Sequence, residues 1–100
     1  MMTRLITKNI INSSNKLKLR NYLSDINIMY RKNHKKYGII DMNQYMDFYD
    51  GTVVYNIYDF SSEKNLTNYL KSNELNSIII KHDEILYDIK NTKLFNVGYI

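Results

Sequence analysis

The sequence predicts an α+β fold in which two helices cover one face of an antiparallel sheet, and three observations predict it. Residues 16–37, KLKLRNYLSDINIMYRKNHKKY, carry apolar side chains at the helical period. After Gly38 the period changes to that of strands. An Asp50-Gly51 pair then sits between two alternating runs, where it reads as a hairpin turn.

The chain opens with Thr3 to Ile11, TRLITKNII, β-branched and aliphatic, which reads as a strand with Ile6 and Ile10 on one face. Successive helical residues are turned by about 100°, which gathers Leu19, Tyr22, Leu23, Ile26, Met29, Tyr30 and Tyr37 into a sector wide enough to be buried. Lys16, Arg20, Ser24, Asn27, Arg31 and Lys35 fall on the opposite side and make a wet, positive face. Ser13, Ser14 or Asn15 can cap the helix start, because a short side-chain oxygen accepts an orphan backbone N–H. Gly38 can end it in the left-handed conformation, and Arg31, Lys32, Lys35 and Lys36 suit the negative end of the helix dipole.

With a two-residue turn at Asp50-Gly51, Phe48 pairs with Val53, Met46 with Tyr55 and Gln44 with Ile57. Phe48, Met46, Val53, Tyr55 and Ile57 then form the expected core face, and Tyr45, Asp47, Tyr49, Thr52, Val54, Asn56 and Tyr58 the other. Ser61 or Ser62 caps a second helix, Glu63 to Glu74, with Leu66, Tyr69 and Leu70 inward. Ser77 to Ile80 reads as a buried strand, Glu84 to Lys90 as its continuation or partner around a solvated His82-Asp83 turn, and Lys93 to Ile100 as a last strand. The order is β-α-β-β-α-β, the ferredoxin-like arrangement, with an extra C-terminal strand, in a single domain spanning residues 1–100.

Composition narrows the chemistry. Asn, Ile, Lys and Tyr, all encoded by A/T-rich codons, supply nearly half of the chain, so an AT-rich genome accounts for many of the asparagines. The absence of cysteine removes disulfides and thiolate metal sites and points to the cytoplasm. No apolar run reaches the roughly 18 residues of a membrane span. His34 and His82 lack the spacing of a zinc site, the three glycines are isolated, and no serine has a histidine partner in a recognisable pattern. No catalytic residue, metal or cofactor is therefore expected, and the chain reads as a non-enzymatic protein.

Charge supplies the remaining signal. Residues 1–40 hold nine Lys/Arg against the single acid Asp25, whereas residues 41–100 hold five Lys against nine acids. Such asymmetry predicts a partner of opposite field, a nucleic-acid-handling protein or nucleoprotein. Lys16, Arg20, Asn27, Arg31, Lys32, Lys35 and Lys36 would form one binding surface, and Tyr45, Tyr49 and Tyr58 a second. A short, cysteine-free, AT-rich chain of this kind fits a phage or mobile-element inhibitor of the anti-CRISPR type acting in the host cytoplasm. Direct nucleic-acid binding, as a regulator or ribosome-associated protein, and self-assembly as a homodimer or larger structural unit are the alternatives.

Overall fold

The alternation of the first strand and the helical period of the second stretch both take shape in the structure, a computed structural model that describes residues 2–12 and 16–96. The elements are β1 (Thr3–Ile11), α1 (Lys16–Asn33), β2 (Ile39–Met46), β3 (Val53–Phe60), α2 (Glu63–Leu70), α3 (Asn73–Lys81) and β4 (Leu86–Phe95). The strands form one antiparallel sheet in the order β2-β3-β1-β4, so β1 and β3 are central. The α+β class and the antiparallel sheet thus stand, with three helices where two were expected.

Helix α1 buries Tyr22, Ile26 and Met29 and packs Leu19, Leu23 and Tyr30 against the core, as its periodicity requires. It stops at Asn33 rather than Tyr37, where the Asn33 amide donates to the Met29 carbonyl at 3.1 Å and the chain enters a series of turns. Tyr37 still reaches the core. Gly38 sits at φ +60°, and a Cβ there would collide with the Asn65 amide and the Ser61 hydroxyl, so both backbone and space demand glycine. The proposed caps Ser13, Ser14 and Asn15 lie outside the described residues.

The hairpin departs from expectation by one residue. Tyr45 pairs with Tyr55 and Met46 with Val54, and the strands are joined by residues 47–52. Gly51 does not adopt positive φ, so the tight mirror-image turn does not form. Carboxylates build the loop instead: Asp47 Oδ1 accepts the Tyr49 and Asp50 N–H groups, each at 2.9 Å. Asp50 Oδ1 accepts the Thr52 N–H at 2.9 Å and its hydroxyl at 2.6 Å, which also holds the Asp50 carboxyl below its ordinary range.

Val53 is buried as expected, but the rest of the hairpin's core face is the opposite of the one expected. Val54, Asn56, Tyr58 and Phe60 are buried under the helices, Tyr55 and Ile57 lie half-buried on the outer face, and Phe48 is 91% exposed. The reason is the register with β1, which sets Thr3 opposite Phe60, Leu5 opposite Tyr58 and Asn9 opposite Val54.

The C-terminal third differs most. The expected second helix breaks after Leu70, because Ser72 caps a new one by accepting the Leu75 N–H at 3.2 Å. Residues 77–80, expected as a strand, belong to α3, where Leu75, Ile78 and Ile79 point inward at i, i+3 and i+4. One strand, β4, then replaces the two expected, and residues 97–100 of the proposed last strand lie outside the described residues. Among the described residues, no helix is long and apolar enough to cross a membrane.

Candidate functional site: a cavity between sheet and helices

The two central strands bring Asn9 and Asn56 together. Asn9 faces Val54 and Asn56 faces Thr7, which places the two side chains diagonally on the helix-covered face. Both residues are 0% exposed. Asn56 Nδ2 donates to Asn9 Oδ1 at 3.2 Å, while Asn9 Nδ2 and Asn56 Oδ1 have no hydrogen-bond partner among the described residues. A buried polar atom left unpaired costs about 1–3 kcal/mol, so the amide pair weighs against stability at this point of the core.

Beside the amides lies a cavity of about 190 Å³. Its floor is Thr7, Asn9 and Asn56, its roof comes from Tyr22 and Ile26 of α1 and Leu75 and Ile79 of α3, and Tyr58 and Leu70 close one side. Asn76 on α3 and Ile89 and Asn91 on β4 complete the lining. Because Asn76 and Asn91 are exposed and Ile79 and Ile89 half-buried, the cavity opens between α3 and β4, the strand that the helices cover least.

The chemistry of the lining is uniform. Burial pushes the Tyr22 phenol far above its ordinary value, with the adjacent Asn56 side chain pulling the other way, so Tyr22 stays protonated at neutral pH. Tyr58 is raised by burial in the same way, and its hydroxyl accepts from Tyr69 at 2.7 Å. Among the described residues, no carboxylate, imidazole or amine lines the cavity. Among the described residues, no three His, Cys, Asp or Glu side chains gather closely enough to hold a metal ion. What the site offers is amide and phenol hydrogen bonding within apolar walls.

His82, expected in a solvated turn, is buried at the end of α3. Its Nε2 lies 2.8 Å from Asp25 Oδ2, and Lys81 Nζ reaches the same oxygen at 2.8 Å. The Lys81 contact, then His82, holds the Asp25 carboxyl below its ordinary range. This seam fastens α3, and with it one wall of the cavity, to α1.

Of the residues expected to bind a partner, the basic ones stay along α1 and the turns after it, while the tyrosines are separated by the fold. Lys16, Arg20, Arg31, Lys32, Lys35 and Lys36 are exposed and Asn27 half-buried, as a solvated helix face requires. The tyrosine surface does not exist as one surface: Tyr45 lies on the outer sheet face, Tyr49 projects at the hairpin tip with 94% exposure, and Tyr58 is core. The charged halves also interleave, through Arg4–Asp59 at 2.8 Å, Lys18–Glu84 at 2.7 Å, Lys36–Glu74 at 3.5 Å and Lys81–Asp25 at 2.8 Å. The asparagines of the cavity were missed because composition explained them away. Their signal was position, since Asn9 and Asn56 each alternate with residues that become core.

No family model and no curated protein matches the sequence. Solved structures do match the fold. A protein of Caulobacter crescentus, provisionally named an antibiotic biosynthesis monooxygenase, superposes with a TM-score of 0.84 at 9% identity, over 97% of this chain and 91% of that one. Rv0793 of Mycobacterium tuberculosis gives 0.79 at 16% identity over 99% and 98%. A Chloroflexus aurantiacus protein, also provisionally named an antibiotic biosynthesis monooxygenase, gives 0.72 at 14% over 100% and 97%. These likenesses correct the functional expectation. The chain has the fold of proteins named as small enzymes, so the readings of a non-enzymatic phage inhibitor of the anti-CRISPR type, a nucleic-acid binder or a structural subunit are withdrawn.

Proposed function

We propose that this chain is a small cavity enzyme that binds a compact organic molecule between sheet and helices and oxidises it in the manner of a monooxygenase. The observation that carries the reading is the cavity of about 190 Å³ between sheet and helices, open between α3 and β4 and lined mostly by apolar side chains with a few amides and phenols. An engineered apolar cavity of about 150 Å³ accepts benzene, so about 190 Å³ suits one ring with a polar substituent. The lining also favours oxidation over hydrolysis. With no carboxylate, imidazole or amine among the described residues of its lining, the cavity offers water no strong general base there.

In a monooxygenation, one atom of dioxygen enters the bound molecule and the other leaves as water, the electrons coming from the molecule or an added reductant. The residues here position and shield. Neutral Tyr22 donates or accepts a hydrogen bond without changing charge, the Asn76 and Asn91 amides stand at the mouth, and Ile26, Leu75 and Ile79 exclude water. The names of the fold neighbours lend support to the reaction class. The cysteine-free composition fits a cytoplasmic setting, which cell fractionation tests.

The test is oxygen uptake by the purified protein with a panel of electron-rich one-ring compounds, namely phenols, hydroquinones and aromatic amines. Compound-dependent uptake that falls at least tenfold in Asn56→Leu is expected. Binding without uptake would make the chain a small-molecule carrier, and no binding by any compound would sink the cavity reading altogether.

A further inference from the structure

We infer that the outer face of the helix layer docks on a bilayer surface rich in anionic phospholipid, with cations on the headgroups and single aliphatic side chains between the lipids. The period of α1 builds the face. Arg20 and Arg31 are eleven residues apart, about three turns, and so stand in one row on the side of α1 turned away from Tyr22, Ile26 and Met29. Leu17 and Ile28, also eleven apart, make a second row beside it and are 64% and 45% exposed. On α3, Ile80 lies opposite Ile78 and His82, which face the core, and is 71% exposed. Between the two helices runs an open groove with Ile28, Met29 and Ile78 in its lining and Lys32 beside them.

The charge on this face is uncompensated. Among the described residues, Arg20, Arg31, Lys32 and Lys35 form no ion pair. The two acids of the groove are engaged already, Asp25 by Lys81 and His82 and Glu74 by Lys36 and Tyr37. The aliphatic side chains then decide the partner. A nucleic acid would take the charge but offers Leu17, Ile28 and Ile80 no apolar surface. A protein interface gathers its apolar contacts into one central patch, whereas Leu17 and Ile28 stand roughly 16 Å apart along the axis with Asn21 and Ser24 between them. A bilayer surface accepts both features, because phosphates pair with the cations and each aliphatic side chain enters the headgroup boundary on its own. With no helix among the described residues able to cross a membrane, the contact is peripheral.

The experiment is cosedimentation of the full chain with two kinds of vesicle, phosphatidylcholine alone and phosphatidylcholine mixed with phosphatidylglycerol. Expected is binding to the mixed vesicles only, weakened by salt and weakened at least tenfold in Arg20→Glu/Arg31→Glu and in Leu17→Ser/Ile28→Ser/Ile80→Ser. All five side chains are exposed, so circular dichroism and the thermal midpoint of both variants should match the native protein. In a chain without tryptophan, an Ile28→Trp reporter should also be quenched by bromine-labelled acyl chains of the mixed vesicles. No binding of the native protein to mixed vesicles overturns the proposal, as does a reporter that stays unquenched. Binding that survives the three serine changes would be adsorption by charge alone and overturns it too. Tighter binding to an RNA homopolymer than to mixed vesicles would give the face to nucleic acid instead.

Discussion

Two neighbouring parts of the same sheet face solve burial in opposite ways. Around Tyr58, Phe60, Tyr69 and Tyr37 the core is filled by rings, with Tyr58 and Tyr69 centred 5.0 Å apart and Phe60 and Tyr69 5.6 Å apart. There the phenols have partners, for Tyr69 donates to Tyr58 and Tyr37 to the Glu74 carboxylate. One step along β1 and β3 the rings give way to Asn9 and Asn56, space opens, and two polar atoms are left over. The difference teaches that one alternation along the same two strands separates a fully paired aromatic core from a polar gap beside a cavity.

The comparison can be broken first at the ring cluster. Tyr69→Ala removes a fully buried ring and should cost about 3–5 kcal/mol, read as a lower denaturant midpoint; a loss under about 1 kcal/mol would mean the cluster is not core. The amide side should answer with the opposite sign. Asn9→Leu/Asn56→Leu relieves two unpaired atoms and should raise stability by about 1–3 kcal/mol in thermal unfolding, whereas a fall would show the amides to be structural. Tyr58→Phe leaves the Tyr69 hydroxyl without its acceptor and should cost about 1–2 kcal/mol, with much of that recovered in Tyr58→Phe/Tyr69→Phe, a non-additivity that a double-mutant cycle measures.

The smallest effect belongs to the seam behind the cavity. Asp25 has a carboxyl held below its ordinary range, so the stability it contributes is fully present above the unfolded-state value of about 3.9 and is lost as pH falls through the lower folded-state value. Asp25→Asn should cost about 1 kcal/mol at neutral pH and nothing in strong acid. Unfolding curves that stay parallel from pH 7 to pH 2 would remove Asp25 from the account.

Much of the frame was legible because local rules and tertiary demands coincide there. β1 matched to the residue, α1 matched along its inner stripe, and Ser62 and Gly38 acted as written. Reading failed where one local signal had two outcomes. Asp50-Gly51 favours a tight turn only if glycine takes positive φ, and the Asp47 and Asp50 carboxylates offered the backbone another solution. The run Ser77 to Ile80 is β-branched enough for a strand, but Ser72 and the spacing of Leu75, Ile78 and Ile79 make it a helix. The cavity was illegible for a third reason. Its residues come from six elements, and only the β1–β3 register brings Asn9 beside Asn56.

That last arrangement bears on how such a protein can change through descent. An active site carried on loops can be exchanged piece by piece while the scaffold stands, because loops tolerate insertion. Here the walls of the site are the core itself, on β1, α1, β3, α2, α3 and β4. A new specificity must arrive by single substitutions that the interior can absorb, each limited by the same few kcal/mol that keep the chain folded. Relatives with this fold should therefore diverge in the identity of buried side chains while keeping their loop lengths, which is the reverse of the usual pattern.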